Sequence, residues 1–223
     1  MKLYVIRHGE TDWNVKRLFQ GQINTSLNEK GEAQAREARE RIKDLGLTFD
    51  AVYSSPIDRA ARTIEIVTGM DRSQFHLDER LLEMNFGILD ETPFDKEAPL
   101  AGTLFHKPSE YIPPDGAESF PELETRIDSF LSEMRKERPG ENILVGCHGC
   151  TMRVMLAHIG YLELDDIWNQ GIGNCTIMEL TENEPFDPAL MSNSVGKNCK
   201  PDGRGFHVTN IYETQDWFGQ QKA

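Results

Sequence analysis

Long apolar runs are missing from this chain: no stretch approaches a membrane span, and the N-terminus lacks the charged and apolar regions of a secretory leader. Cleaving such a leader would also carry away Arg7 and His8. Basic residues are scarce. Lys and Arg number 24 against 37 Asp and Glu, a formal charge of -13, which argues against nucleic acid or an anionic membrane as a partner. Any anion site must therefore be a local cluster of cations. Cysteine is sparse as well, with Cys147, Cys150, Cys175 and Cys199 all in the C-terminal third. An extracellular disulfide scaffold would be smaller and denser in cysteine, so a reducing, cytoplasmic setting is expected. No internal repeat, coiled coil or tract demanding disorder is present. What remains, 223 residues with 38% hydrophobic content, suffices to bury one full core, and a single domain over 1–223 is expected.

Extended and helical patterns alternate along the chain. The apolar run Leu3-Tyr4-Val5-Ile6 predicts a first strand near 2–7. Asn28 reads as the cap of a helix reaching about Leu45, with Ala38, Ile42 and Leu45 on one face and Gly46 closing it. Ala51 to Ser54 reads as a second strand. Ser55 as N-cap, Pro56 as first helical residue and Asp58 as the acid of a capping box predict a helix over 56–68. A short extended piece is expected near 75–78, and an irregular excursion, cap-like, over about 84–118. Ser119 and Glu122 form a further capping box, and Leu123, Ile127, Leu131 and Met134 a helical stripe. A buried strand over Asn142–Cys147, a helix over Thr151–His158 and strands near 175–180 and 206–212 follow, the last two separated by an irregular loop at about 182–205. The alternation predicts an α/β fold: a three-layer sandwich whose central sheet is mostly parallel and flanked by helices.

In such a sheet, ligands gather at the carboxyl ends of the strands. Arg7 and His8 end the first strand, Arg59 follows the second, and His148 ends the strand near 142–147. Two arginines and two histidines converging on one crevice would be costly without an anion to neutralise them. Other fates are open to each of them. His8 can cap its strand, Arg59 can pair with Asp58 or Glu65 on its own helix, and His148 can be a satisfied core histidine.

The run Arg7-His8-Gly9-Glu10-Thr11 with Asn14, the Ser54-Ser55-Pro56 strand end with Arg59, the segment Glu83-Met84-Asn85-Phe86-Gly87 and the late His148-Gly149 together resemble the histidine phosphatase superfamily, in its phosphoglycerate mutase-like branch. The resemblance spans roughly residues 1–181. It implies a two-step phosphoryl transfer through a phosphohistidine, with His8 as nucleophile and Glu83 as general acid and then base. It also implies that Arg7, Arg59 and His148 bind the phosphoryl oxygens, with Asn14 assisting. Gln20 and Gly21 are expected to bring the chain to the substrate or simply to make a turn. Fixed cations can stabilise the spread charge of such a transfer in place, so neither a metal nor a cofactor is expected.

The chain also departs from the family's pattern. Many relatives carry an aromatic and then Glu-Gly after Phe-Gly, whereas this chain has Ile88-Leu89-Asp90-Glu91-Thr92. The mutases hold a carboxylated bisphosphate with cations in the excursion. Here it offers Asp90, Glu91, Asp95, Glu97, Glu110, Asp115 and Glu118 against Lys96 and Lys107. An acidic rim repels a polyanion, so water is the expected acceptor and a phosphatase of small phosphomonoesters the expected activity. A cofactor-dependent phosphoglycerate mutase-type transfer comes second, and a non-catalytic phosphate-binding protein third. Phe94, Phe105 and Tyr111 either touch an apolar part of the substrate or pack the cap. Cys147-His148-Gly149-Cys150 has no second cluster at metal-ligand spacing. Cys147 reads as a buried residue at the strand end and Cys150 as a small residue at a helix start; the alternative is that Cys150, beside cations, has thiolate character and is sensitive to oxidation.

Overall fold

The computed structural model describes residues 1–182 and 205–213. Alternation in the first strand, β1 (Lys2–Arg7), explains the layering. Leu3 and Val5 enter one apolar cluster while Tyr4 and Ile6 enter another, because successive side chains of a strand point to opposite faces. The same division holds in β2 (Ala51–Ser54), where Ala51 and Tyr53 part from Val52, and in β4 (Asn142–Cys147), where Ile143 and Val145 part from Leu144. Each fully buried Leu, Val or Ile here contributes about 1.5–3 kcal/mol. A sheet apolar on both faces requires cover on both, and it has it.

After the short helix α1 (Asp12–Val15), helices α2 (Glu29–Asp44) and α3 (Asp58–Thr68) cover one face through Ala35, Ala38, Ile42, Ala61, Ile64 and Val67. Helices α4 (Phe120–Glu137) and α5 (Gly149–His158) cover the other through Leu123, Ile127, Leu131, Met134, Met152 and Met155. With β3 (His76–Leu77), β5 (Ile177–Glu182) and β6 (Phe206–Tyr212), the strand order is β3-β2-β4-β1-β5-β6. β3, β2, β4 and β1 pair in parallel, with Val5 opposite Val145, whereas β5 runs against both β1 and β6. This is the expected three-layer α/β sandwich, its sheet mixed rather than wholly parallel. Among the described residues no helix is long and apolar enough to cross a membrane.

Several boundaries differ from the sequence expectation for local reasons. Asn28 caps α2 as expected, accepting from the Gly31 N–H at 2.8 Å, but Leu45 is 44% exposed and forms the C-cap before Gly46 at φ 65°. Ser55 does not cap α3. The helix starts at Asp58, whose N–H donates to Asn24 Oδ1 at 2.8 Å, and the Asp58 carboxylate receives Arg72 and the Ser26 hydroxyl. The Ser119–Glu122 capping box forms as read. α5 begins at Gly149, two residues earlier than expected. The excursion over 84–118 holds only short 3-10 turns at Gly87–Leu89, Pro99–Ala101 and Pro108–Glu110. Most of the loop assigned to 182–205, residues 183–204, lies outside the described residues, as does Cys199.

Candidate active site

β4 and β1 are neighbours, yet the chain leaving β1 goes on to α2 on one face, whereas β4 leads directly to α5 on the other. Strand ends whose following helices diverge in this way open a crevice between them. Register brings the carboxyl ends together: Arg7 lies opposite Cys147, the His8 N–H donates to the Cys147 carbonyl at 3.0 Å, and the Ser55 N–H donates to the Gly146 carbonyl at 2.9 Å. Three strand ends thus deliver His8, Ser55 and His148 to one place. The cavity there has a volume of about 320 Å³, and Arg7, His8, Asn14, Gln20 and Glu83 line it.

His8 is buried, and its Nδ1 lies 2.7 Å from the Gly9 carbonyl oxygen. A carbonyl only accepts, so Nδ1 carries the proton and Nε2 keeps the lone pair. Burial, and next the charges of Arg59 and Arg7, hold its pKa well below the ordinary histidine value, so the ring is neutral at pH 7. The His148 ring lies 5.2 Å away, centroid to centroid, fully buried behind the cavity wall. Its Nε2 is 2.8 Å from the Ser55 hydroxyl, and its Nδ1 is buried with no partner in the protein. His148 is likewise held well below the usual value, by burial first and then by Arg59, so it too is a neutral ring. The Ser55 hydroxyl that sequence assigned to a helix cap serves a histidine instead.

The arginines are fixed by backbone carbonyls rather than by carboxylates. Arg7 donates from Nη1 to the Ile172 carbonyl at 2.6 Å, and its Nε is buried without a partner. Arg59 is fully buried. It donates to the carbonyls of Ile23 at 2.8 Å and Gly21 at 2.7 Å, and more distantly to that of Gln20, while its Nε has no partner. Asp58 and Glu65, its possible ion-pair partners, are taken by Arg72 and Arg62. Burial lowers both arginines to about 10, and they remain charged at pH 7. Arg59 and His148 stand behind the residues that line the cavity. Unpaired N–H groups this buried are costly unless an anion receives them.

Glu83 meets the start of α5. Its Oε1 accepts from the N–H groups of Met84 and Thr151, each at 3.0 Å, and from the Thr151 hydroxyl, while Oε2 accepts from the Cys150 N–H at 3.0 Å. The helix's free amides thus orient the carboxylate at the cavity floor. Arg126 holds the segment in place from α4, donating to the carbonyls of Arg80 and Glu83 while paired with Glu118 at 2.7 Å.

Gln20 and Asn14 reach the cavity, but Gly21 does not. The Gly21 carbonyl receives Arg59 and its N–H donates to Asp90, and an added Cβ would lie 2.7 Å from the Asp90 carboxylate, so this glycine serves the scaffold. Gln20 Oε1 accepts from the hydroxyls of Thr11 and Thr25, and Asn14 Oδ1 from the Thr11 N–H. Their amide nitrogens are the groups left for a ligand.

The acidic rim expected from the excursion is absent at close range. None of its seven carboxylates lines the cavity: Asp90 receives Gly21, Asp95 caps the Glu97 N–H, Glu97 faces His106, Glu110 pairs with Lys107 and Glu118 with Arg126. Lys96 does line it, together with Arg17 and Arg153, neither of which sequence singled out. Arg153 was open to discovery, because a helix starting at Gly149 places residue 153 one turn above it. Of the aromatics, Phe94 lines the cavity beside Phe86 and Trp168, while Phe105 and Tyr111 are buried in the cap. Cys150 lines the cavity, and burial pushes its thiol well above the ordinary value, against the thiolate alternative and in keeping with the plain reading of a small residue at a helix start. Among the described residues no group of His, Cys, Asp and Glu is arranged to hold a metal ion.

Comparison with known proteins places this geometry in context. A family model of the histidine phosphatase superfamily (branch 1) matches residues 3–187. A protein of Enterobacter sp. (strain 638) named "Probable phosphoglycerate mutase GpmB" is 31% identical over 188 residues, 82% of this chain and 86% of that protein. One from Hydrogenobacter thermophilus named "Putative phosphoserine phosphatase 2" is 32% identical over 184 residues, 80% of this chain and 88% of that one. Among solved structures, YhfR of Bacillus stearothermophilus superposes with a TM-score of 0.76 at 27% identity, over 93% of this chain and 95% of that one.

Proposed function

Since the chain belongs to the histidine phosphatase superfamily, we propose that it is a metal-independent hydrolase of small phosphomonoesters working through a phosphohistidine on His8. The observation that carries this reading is the 2.7 Å contact of His8 Nδ1 with the Gly9 carbonyl, which leaves a neutral ring with its Nε2 lone pair available beside Arg7 and Glu83.

In the first step Nε2 of His8 attacks phosphorus and the ester P–O bond breaks. The departing alkoxide takes a proton from Glu83 Oε2, the oxygen that holds a single hydrogen bond. In the second step Glu83 receives a proton from water as the water oxygen bonds to phosphorus. The P–N bond breaks and its electron pair returns to Nε2. Arg7 in the cavity wall, with the charge of Arg59 and the Nδ1–H of His148 behind it, offsets the spread negative charge of the equatorial oxygens, the load a metal would otherwise carry.

Two facts favour water as acceptor. Phe94 is 38% exposed and Arg17 and Lys96, which also line the cavity, are exposed, an opening through which water can enter and a dephosphorylated product leave. The net charge of -13 also repels a bisphosphate at long range. The mutase reading retains one specific observation, the presence of Arg17, Lys96 and Arg153 around the same cavity.

A panel of phosphomonoesters, assayed in chelator beside His8→Ala, tests the proposal. Phosphate release should fall by about a thousandfold or more in the variant, and brief exposure to labelled ester should leave an acid-labile label on the parent only. Release no greater than that of His8→Ala would end the hydrolase reading. Isomerisation of 3-phosphoglycerate in the presence of bisphosphoglycerate, without net phosphate release, would establish the mutase instead.

A further inference from the structure

The carbonyl that holds the His8 proton belongs to a peptide unit that is itself held. Between Gly9 and Glu10 the C=O faces His8 Nδ1 at 2.7 Å, and the N–H of the same unit donates to Gln34 Oε1 at 2.9 Å. An N–H only donates, so the oxygen of the Gln34 amide, not its nitrogen, faces the loop. Gln34 is 6% exposed and lies on α2, three residues beyond Gly31 and on the same face. Gly9 packs so close to Gly31 that an added Cβ would meet the Gly31 carbonyl, and this approach brings the Glu10 N–H within reach of the Gln34 side chain.

Two hydrogen bonds are thus linked through one amide: His8 Nδ1–H to the Gly9 carbonyl, and the Glu10 N–H to Gln34 Oε1. Acceptance at the N–H end draws electron density toward the carbonyl oxygen and makes it the better acceptor, because hydrogen bonds in series polarise one another. The demand on that oxygen grows during the transfer. As Nε2 bonds to phosphorus the ring becomes an imidazolium cation and its Nδ1–H a charged donor. The preceding peptide unit is fixed as well, the Gly9 N–H donating to Thr63 Oγ1 at 3.0 Å. The Glu10 carboxylate is engaged elsewhere, accepting from Asn28 Nδ2 at 3.1 Å and pairing with Lys30 at 3.4 Å.

We infer that Gln34 is a positioning residue for the nucleophile: by fixing and polarising the Gly9–Glu10 peptide it keeps the His8 proton on Nδ1 and supports the charge that the ring acquires on phosphorylation. The second half of this role rests on the hydrolase reading above, and the first does not. A side chain 24 residues from the Glu10 amide therefore helps to decide which nitrogen of His8 attacks.

Gln34→Met keeps the length of the side chain and removes the acceptor, whereas Gln34→Glu keeps an acceptor oxygen. The nitrogen-15 resonances of His8, assigned by their loss in His8→Ala, distinguish a protonated ring nitrogen from one with a lone pair and need no substrate. The parent should carry the proton on Nδ1. In Gln34→Met the two resonances should approach each other as the second tautomer is populated, and in Gln34→Glu the parent pattern should return. With any ester that the parent hydrolyses, kcat/KM should fall about tenfold in Gln34→Met and stay within about threefold of the parent in Gln34→Glu, while the inhibition constant of inorganic phosphate changes by less than about twofold. Unmoved His8 resonances or an unchanged kcat/KM in Gln34→Met, or an equal loss in Gln34→Glu, overturns the inference while His8-dependent hydrolysis stands. Should Gln34→Met not fold, Gln34→Glu decides: at about pH 8 its ionised carboxylate is the stronger acceptor and should move the His8 Nδ1 proton downfield, and an unmoved proton overturns the inference. If the parent hydrolyses no ester, the hydrolase reading fails and the tautomer comparison alone upholds or removes the positioning role.

Discussion

The Ser55 hydroxyl lies 2.8 Å from Nε2 of His148, across 93 residues of sequence. With the hydroxyl donating, Nε2 accepts and the proton sits on Nδ1, the buried nitrogen with no partner in the protein. Ser55 thereby sets which nitrogen of His148 offers a donor to a phosphoryl group. Ser55→Ala should lower kcat by about tenfold, the worth of one positioning hydrogen bond, and Ser55→Thr should recover most of the loss. Steady-state kinetics of the three proteins checks this, and equal kcat in parent and Ser55→Ala would contradict it.

Both histidines impose a pH dependence of known sign. Burial and neighbouring arginines depress both pKa values in the folded protein, so as the pH falls below about 6.5 the unfolded chain takes up protons that the folded chain refuses. Their contribution to stability is therefore complete above that pH and is lost progressively below it. Urea midpoints at pH 7.5, 6.5 and 5.5 should fall over the second interval and hold over the first.

Gly31 is required by close approach. A Cβ there would overlap the Glu10 carbonyl oxygen, just as one on Gly9 would overlap the Gly31 carbonyl, because the loop carrying His8 lies directly on the first turn of α2. Gly31→Ala must displace that loop, and a cost of about 3 kcal/mol or more in denaturant unfolding is expected, together with loss of activity. Unchanged stability would show that the backbone relaxes there freely.

Cys150 should resist oxidation. It is 3% exposed, its thiol is raised by burial and by the Glu83 carboxylate, and its Sγ packs 3.6 Å from Met84 Sδ. Parent and Cys150→Ser protein should lose activity in mild peroxide at the same rate. Slower loss in the variant would restore the sensitivity that the cationic surroundings suggested.

Removing Arg126 should loosen Glu83 without touching the cavity itself. Arg126→Ala deletes the donors to the carbonyls of Arg80 and Glu83 and leaves the half-buried Glu118 without its cation. A fall in thermal stability accompanied by a lower kcat is expected, because the carboxylate that exchanges protons rides on that segment. Stability lost with kcat intact would mean that the amides of α5 orient Glu83 unaided.

Local pattern was enough to recognise the strands and the paired helices and to put Arg7, His8, Arg59 and His148 at or just after strand ends, because strand alternation, caps and strand-end chemistry depend on residues close together in the chain; Glu83 followed from the family resemblance alone. The Ser119–Glu122 box and the Asn142–Cys147 strand follow from that alone. Contacts between distant segments decided the rest. Glu83 meets the amides of Cys150 and Thr151 across 67 and 68 residues, Gly21 turns away from the cavity to receive Arg59, and Asp90, Glu110 and Glu118 of the excursion find partners off its walls. Sequence counts charges over a segment, but the field at a cavity is set by the charges within about 10 Å of it and is offset by whatever counter-charge lies beside each of them. An excursion acidic by composition therefore closes over a cationic cavity, and only the packed chain determines that.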